Sequence, residues 1–388
     1  MQELLASHML EFGLTSQEFC SQYLEQQPFV RKAALQDQPL QWADFDALLQ
    51  NMEPDESLVQ LFNNGQVPPH VYLEDSIELG QHRRRINKAG FYGLLRQGAT
   101  LVLNRFENHS TTAKRLCNEI GRFVGHQTTS NAYVSFGGNG TFGKHWDTHD
   151  VFAIQLIGKK RWQLFAPTLP LPLSHQTSER SQHTCPPTAA LDCVLETGDM
   201  LYIPRGWWHQ VTPFQLGSLH VSVGAYLPTV SDYLMWMCSR HLPGVLDARR
   251  GVVDADSLAG LPEVLRTLSQ AALSPQSLDE FRQDLAARER LSSEFNTELL
   301  MGNAATLTDD TRVILTSCHK PDSERTELPV NGGRLKLEPV SRAVVNLLGD
   351  AVTLSLADLF SRLPHFPQPV IRAAVADLVR YDVLGVLK

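Results

Sequence analysis

The sequence predicts an α+β chain: an antiparallel sandwich or barrel, then a run of helices, then a small mixed unit. Three observations carry this. From about Thr100 to Tyr226, short apolar runs alternate with glycine-rich turns, the texture of an antiparallel sheet protein. After Pro228 the apolar residues take up a helical period. Residues 305–388 then mix short helices with small strands. The expected divisions are therefore 1–228, which includes a mixed N-terminal segment, 229–304 and 305–388.

The elements follow in order. Ser16 to Gln26 predicts a helix with Phe19, Tyr23 and Leu24 on its apolar side. Arg83, Arg84 and Arg85 form a short basic run that reads as a solvated face. Val151 to Ile157, Gly158 to Lys160 and Arg161 to Phe165 read as strand, turn and strand. Pro167 to Ala190 is rich in Pro, Ser and Thr and reads as a long loop. Met200 to Pro204 and Leu219 to Tyr226 are further strands.

Helices are expected at Val230 to Leu242, Pro262 to Leu273 and Ser277 to Leu291. The first places Leu234, Met237, Cys238 and His241 on one side, and Tyr233, Trp236 and Leu242 widen its apolar surface. A helix apolar on more than one side needs two partners, which suggests either core packing or a dimer interface. Nearer the C-terminus, a strand pair around Asn331, Gly332 and Gly333 precedes three helices. These are marked by Val344, Leu347 and Leu348, by Leu356, Leu359 and Phe360, and by Ile371, Ala374, Val375 and Leu378. Pro369 lies near the first turn of the third helix, and Val383 to Leu387 reads as a closing strand. Three helices with small strands resemble a winged helix. Asp377 offsets Arg372 and Arg380, so no basic cluster marks the third helix for DNA.

Composition bounds the function. Hydrophobic residues make up 43% and charged residues 20% of 388, enough for a sizeable core without disulfides or a structural metal. Lys plus Arg less Asp plus Glu is 34 − 42 = −8, which disfavours a broad grip on nucleic acid and suits a basic protein partner. No long uninterrupted apolar run predicts a membrane span, and the opening MQELLASHMLEFGLTSQEF does not read as a signal peptide. Cys20, Cys117, Cys185, Cys193, Cys238 and Cys318 form no CxxC pair. They read as reduced thiols in a cytoplasmic protein.

One constellation carries chemistry. His145, Trp146 and Asp147 lie in a run from Gly143 to Asp150. On a strand, residues two apart share a face, so an imidazole and a carboxylate would stand side by side. Downstream, Gly198, Asp199, Tyr202, Ile203 and Pro204 lead through a turn to His209. Two histidines and one carboxylate are the facial triad of non-haem Fe(II) oxygenases, with three positions left open. His149, Asp150 and His220 are competing ligands on spacing alone.

Lys160, at the start of the strand after Gly158, could hold the far carboxylate of a dicarboxylate such as 2-oxoglutarate by a charge-assisted hydrogen bond. Strand alternation puts Lys160, Trp162 and Leu164 on one face, and Lys159, Arg161 and Gln163 on the other. Gly138 to Gly143 matches GxGxxG, but no helix opens after it. It reads as a turn before the metal-binding run and not as a dinucleotide site. Trp146, Trp207 and Trp208 read first as core packing and second as a peptide groove.

HWDTHDVFAIQLIGKKRWQLF followed by GDMLYIPRGWWH resembles the JmjC/cupin-type 2-oxoglutarate oxygenases, and most closely the bacterial ribosomal oxygenases. SQEFCSQYLEQQPFVRKA resembles that family's opening helix and strand. The helices after Pro228 resemble its dimerisation region, and the C-terminus its winged helix. The resemblance implies a double-stranded β-helix (jelly-roll) core over 1–228, a helical dimerisation region over 229–304 and a winged-helix-like domain over 305–388. It implies His145, Asp147 and His209 as iron ligands and Lys160 on the 2-oxoglutarate carboxylate, with Asn131 and Ser222 assisting. Gly224 stands where eukaryotic members place a serine, and Lys160 is the eukaryotic form of a residue that tends to be Arg in bacterial arginine hydroxylases.

The implied activity is an Fe(II)-, 2-oxoglutarate- and O2-dependent hydroxylation of an Arg or His side chain on a ribosomal protein. The enzyme is expected to be a cytoplasmic homodimer with no DNA or membrane partner. Asp150 and Glu196 are candidates to receive a basic target at the mouth of the barrel. The rival readings are a cupin metal enzyme acting on a small molecule and a metal-binding module without catalysis.

Overall fold

The computed structural model describes residues 8–37, 40–138, 140–214, 216–291, 293–301, 307–319, 324, 326–330, 333–350 and 353–387. They fall into two units, Met1–Tyr226 and Leu227–Lys388.

The first unit runs α1 (Ser16–Gln22), β1 (Phe29–Arg31), α2 (Trp42–Asn51), β2 (Val59–Phe62), β3 (Leu73–Glu78), β4 (Gln81–Ile86), α3 (Lys88–Arg96), β5 (Thr100–Leu103) and α4 (Thr111–Val124). It continues with β6 (Thr128–Ser135), β7 (Asp150–Ile157), β8 (Lys159–Phe165), β9 (Leu191–Glu196), β10 (Met200–Ile203), β11 (Trp208–Pro213) and β12 (Ser218–Ala225). Seven strands form one sheet in the order β1-β10-β7-β12-β6-β5-β2, and three form a second in the order β11-β8-β9. Every pairing is antiparallel. Val151, Ala153, Leu201 and Ile203 of the large sheet pack on Trp162, Leu164 and Leu195 of the small one. This is the sandwich expected from the alternation of apolar runs and turns.

Local chemistry sets the boundaries. Thr15 and Glu18 close a capping box on α1, and Phe19 is fully buried against Phe123, Phe152 and Tyr202. The helix stops at Gln22 instead of Gln26, and Glu25 takes a positive φ of 58°. The turn after β7 is tighter than expected. Gly158 alone makes it, with φ +70° and no room for a side chain, because a Cβ would meet the Gly217 carbonyl at 2.4 Å. Lys159 and Lys160 therefore already belong to β8. The basic run lies on β4, where Arg83, Arg84 and Arg85 pair with Glu53, Asp75 and Glu74 on the surface. The long loop holds one short 3-10 turn, Glu179–Thr184.

The second unit runs α5 (Val230–His241), α6 (Leu261–Ala272), α7 (Pro275–Arg288), β13 (Arg312–Leu315), β14 (Glu327–Val330), β15 (Gly333–Lys336), α8 (Pro339–Asp350), β16 (Leu354–Ser355), α9 (Leu356–Arg362), α10 (Gln368–Arg380) and β17 (Leu384–Leu387). Tyr233 and Trp236 of α5 both pack on Phe281 of α7. Trp236 donates its indole N–H to Asp284 at 2.8 Å, and Met237 is fully buried. These three residues thus pack within this chain, which is one of the two readings that the sequence left open for this helix. The apolar side chains that α5 leaves in water are Val230, Leu234 and Met235.

Further on, β13 lies between β16 and β17, and β14 pairs with β15. Val313, Leu315, Val344, Leu348, Leu359, Ile371 and Val375 share one core. Pro369 sits in the first turn of α10. Asn331 and Gly332, expected at the hairpin turn, lie outside the described residues. No described helix is long and apolar enough to cross a membrane.

Candidate functional site

The chain leaves β6 through Gly138, Gly140 and Gly143, all at positive φ, and no helix follows. A Cβ on Gly140 would meet the Val211 carbonyl at 2.4 Å, so the loop runs directly over β11. The GxGxxG match is therefore a turn; its Asn139 lies outside the described residues.

His145 and Asp147 are not on a continuous strand, contrary to the expectation from spacing. His145 makes an isolated bridge to His209: each residue's N–H donates to the other's carbonyl, at 3.1 and 2.7 Å. The Asp147 carbonyl accepts the N–H of Gly206 at 2.9 Å. Backbone clips to β11 and to its preceding turn, not a shared strand face, bring the three side chains together.

Their ligand atoms all lie within 4.8 Å of one another. The two imidazole centroids are 4.2 Å apart, and Asp147 Oδ2 is 3.7 Å from His209 Nε2. Nδ1 of His145 faces the Gly143 carbonyl at 3.3 Å, and Nδ1 of His209 faces the Trp207 carbonyl at 3.2 Å. A carbonyl only accepts, so each Nδ1 carries the proton and each Nε2 keeps a lone pair for a metal. Burial and the neighbouring His145 push His209 down to about 4, so it is neutral at pH 7. Desolvation would raise the Asp147 carboxyl, but the imidazoles of His209, His145 and His149 outweigh it and hold the carboxyl below its usual range. Two imidazoles and one carboxylate fit a single divalent transition metal with open coordination positions.

The competing groups are engaged elsewhere. His149 stacks on Tyr226 with centroids 4.7 Å apart. A Cβ on Gly224 would lie 2.7 Å from Cδ2 of His149, so the imidazole fills the space that a serine would occupy there. Asp150 is buried and accepts the Arg205 N–H at 2.8 Å. Burial pushes its carboxyl up to about 6, and it does not line the pocket. Glu196 is exposed at the end of β9, also outside the pocket. Neither carboxylate, both expected from the sequence at the mouth of the barrel, lines the pocket. Trp146 and Trp208 are buried in an edge-to-face contact and act as core.

Between the sheets, a pocket of about 200 Å³ opens over the cluster and is lined by Asn131, Tyr133, Lys160, His220, Ser222 and Tyr226, among others. Lys160 is 2% exposed, and its Nζ donates to the Tyr133 carbonyl at 3.0 Å and meets His220 Nδ1 at 2.9 Å. Burial pushes its pKa down to about 7, and no carboxylate contributes. A buried cation without a counter-charge is a receptor for an anion. Arg161 and Lys159 point away, to Asp192 at 2.8 Å and over the Phe214 ring. Asn131 Oδ1 accepts the Arg105 N–H at 3.2 Å, and Ser222 is its cross-strand partner. The structure thus gathers all six residues picked from the sequence into one pocket. Tyr133 and Tyr226 were missed. The period-two pattern of β6, which turns Thr129, Asn131, Tyr133 and Ser135 to the pocket, would have found the first.

Three comparisons bear on this site. The JmjC domain family matches residues 102–233. The chain is 32% identical over 131 residues to the bifunctional lysine-specific demethylase and histidyl-hydroxylase NO66 of Drosophila persimilis, a match covering 34% of this chain and 19% of that protein. It is 27% identical over 245 residues to ribosomal oxygenase 2 of Rattus norvegicus, covering 58% of this chain and 50% of that protein. The chain thus spans half or less of the length of these relatives. Its fold superposes on the E. coli ribosomal oxygenase YcfD, solved in complex with cobalt and 2-oxoglutarate, with a TM-score of 0.60 and 17% identity over 98% of this chain and 100% of that one. Residues 102–233 thus match the JmjC domain, on a chain that has the fold of YcfD and is similar in sequence to ribosomal oxygenase 2.

Proposed function

We propose that the protein is an Fe(II)- and 2-oxoglutarate-dependent hydroxylase of a ribosomal protein, acting on an Arg or His side chain. One observation carries the reading: a His145–Asp147–His209 cluster shares a pocket with a buried, carboxylate-free Lys160. His145, Asp147 and His209 would hold the metal. Lys160 would hold the distal carboxylate of the co-substrate, with Asn131 and Ser222 lining its path. Fe(II) with 2-oxoglutarate and O2 supplies the oxidising chemistry, in which decarboxylation to succinate accompanies transfer of one oxygen atom to a C–H bond. The chain's own work is geometric: it fixes the ligands through backbone clips, anchors the co-substrate at its far end and keeps the buried end of the pocket from bulk water. The names of the relatives, histidyl-hydroxylase and ribosomal oxygenase, support a protein side chain as target. A net charge of −8 favours encounter with a basic ribosomal protein in the cytoplasm.

The domain roles belong to the same reading. Residues 1–228 form the catalytic domain. Residues 229–304 form a dimerisation region, supported by the exposed Val230, Leu234 and Met235 of α5 and Leu265 of α6. Residues 305–388 form a winged-helix-like domain that does not read DNA, because Arg372 is paired with Asp309 and Arg380 with Asp377. Light scattering should give twice 43.4 kDa.

The test of the activity is intact-mass comparison of ribosomal proteins from wild-type and deletion cells. One protein should lose the mass of one oxygen atom in the deletion strain. An unchanged set, with turnover of a small molecule instead, would overturn the target.

A further inference from the structure

We infer that His220 positions Lys160 for the distal carboxylate by accepting one of its ammonium protons at Nδ1, and so sets the length of dicarboxylate that the pocket takes. The inference rests on the co-substrate reading above. An ammonium has three N–H donors and no acceptor. Two are committed here, to the Tyr133 carbonyl at 3.0 Å and to His220 Nδ1 at 2.9 Å. Two fixed bonds leave the third N–H only one direction to point. A lysine without them swings on a four-carbon stem.

His220 is itself built into place. It is 4% exposed, stacked on Tyr133 with centroids 4.8 Å apart and rings 3° from parallel, and set edge-on to Trp162 at 5.1 Å. The register of β12 against β7 shifts between Leu219 and His220, an irregularity of the kind that re-aims a side chain. Opposite it, the fully buried Gln155 donates its amide to the Ile157 and Leu219 carbonyls at 2.9 and 3.1 Å. Burial and the adjacent Lys160 hold His220 far below the usual imidazole range, which keeps Nδ1 an acceptor. A lysine aimed this way accepts one spacing between the metal-binding end of a 2-oxo diacid and its far carboxylate. 2-Oxoglutarate and 2-oxoadipate, which differ by one methylene, would then be told apart.

The test is calorimetric titration of both diacids into the full-length chain loaded with Mn(II). His220→Phe keeps the ring and loses the acceptor; His220→Asn loses the ring and keeps an oxygen near the Nδ1 position. Loss of a hydrogen bond to a charged group should weaken 2-oxoglutarate binding by about tenfold or more in the Phe variant and shrink its preference over 2-oxoadipate. The Asn variant should recover most of both. Wild-type-like binding and preference in the Phe variant would overturn the inference, as would an Asn variant no better than Phe. Nitrogen NMR of the wild-type imidazole gives a reading independent of how the variants fold: it should show a neutral ring protonated at Nε2, and a proton on Nδ1 would overturn the pairing. A wild-type chain that bound neither diacid would instead refute the co-substrate reading, while the tautomer would still report on the Lys160–His220 bond.

Discussion

His145 and His209 donate backbone N–H bonds to each other's carbonyls, and their imidazoles stand 4.2 Å apart as a result. The cluster is therefore held by main chain before any metal arrives. Its charge rests on Asp147, whose side chain is about a third exposed to the pocket.

Asp147→Asn should keep the fold and lose the metal. The substitution preserves shape and removes the one anionic ligand, so affinity for Co(II) or Fe(II) should fall by at least the ~100-fold seen for lesser perturbations of metal sites. Titration followed by Co(II) absorbance, beside a melting curve, measures both. Metal affinity within a few-fold of wild type would remove Asp147 from the ligand set.

Lys160 should take up a proton when 2-oxoglutarate binds. Its pKa in the empty fold is about 7, against about 10.4 in an unfolded chain. The unfolded state thus holds more protons between these values, and stability gains from this residue as pH rises through that window. A bound dicarboxylate restores the charged form. Affinity should therefore fall above pH 7, and binding at pH 8 should consume a proton, read by calorimetry in two buffers of different ionisation enthalpy. Lys160→Ala should abolish the uptake and raise the 2-oxoglutarate requirement sharply.

Gly206→Ala should lower both melting temperature and metal affinity. Gly206 has φ +84°, and a Cβ would meet the Leu169 carbonyl at 2.7 Å. Its N–H is the donor that tethers the Asp147 carbonyl. A side chain in this conformation costs about 1–3 kcal/mol. A variant that melts like wild type would mean that the turn relaxes freely.

Asp150→Asn should stabilise the protein at pH 7. The carboxyl is buried and titrates near 6 when folded, against about 3.9 unfolded, so the folded state binds the proton more tightly. Stability from this group falls as pH rises from about 4 to 6, and the cost persists above 6. Asn retains an acceptor for the Arg205 N–H and removes the charge, a gain of about 3 kcal/mol. Urea denaturation of the two proteins at pH 4 and pH 7 should show the difference only at the higher pH.

Side-chain identity made much of this site legible, and backbone path made the rest invisible. His145, Asp147 and His209 stood out as residue types, yet the strand argument that joined them was wrong, because the bridge to His209 depends on a contact distant in sequence. Alternation along β8 separated Lys160 from Arg161 correctly, since a one-residue shift reverses the face. The same rule applied to β6 would have yielded Tyr133. Asp150 and Glu196 show the opposite case: charge suggested a place at the mouth, but Asp150 is buried and neither residue lines the pocket. The apolar breadth of α5 was visible, but not that Phe281 of α7 would claim Tyr233 and Trp236.

On β12, Leu219, Val221 and Val223 are buried away from the pocket, while His220, Ser222 and Gly224 line it. Two of the three lining positions are closed to change, since His220 is tied to Lys160 and a side chain on Gly224 would strike His149. Ser222 is thus the one codon of this strand at which drift can retune the co-substrate end while the hydrophobic layer beneath it stands unaltered.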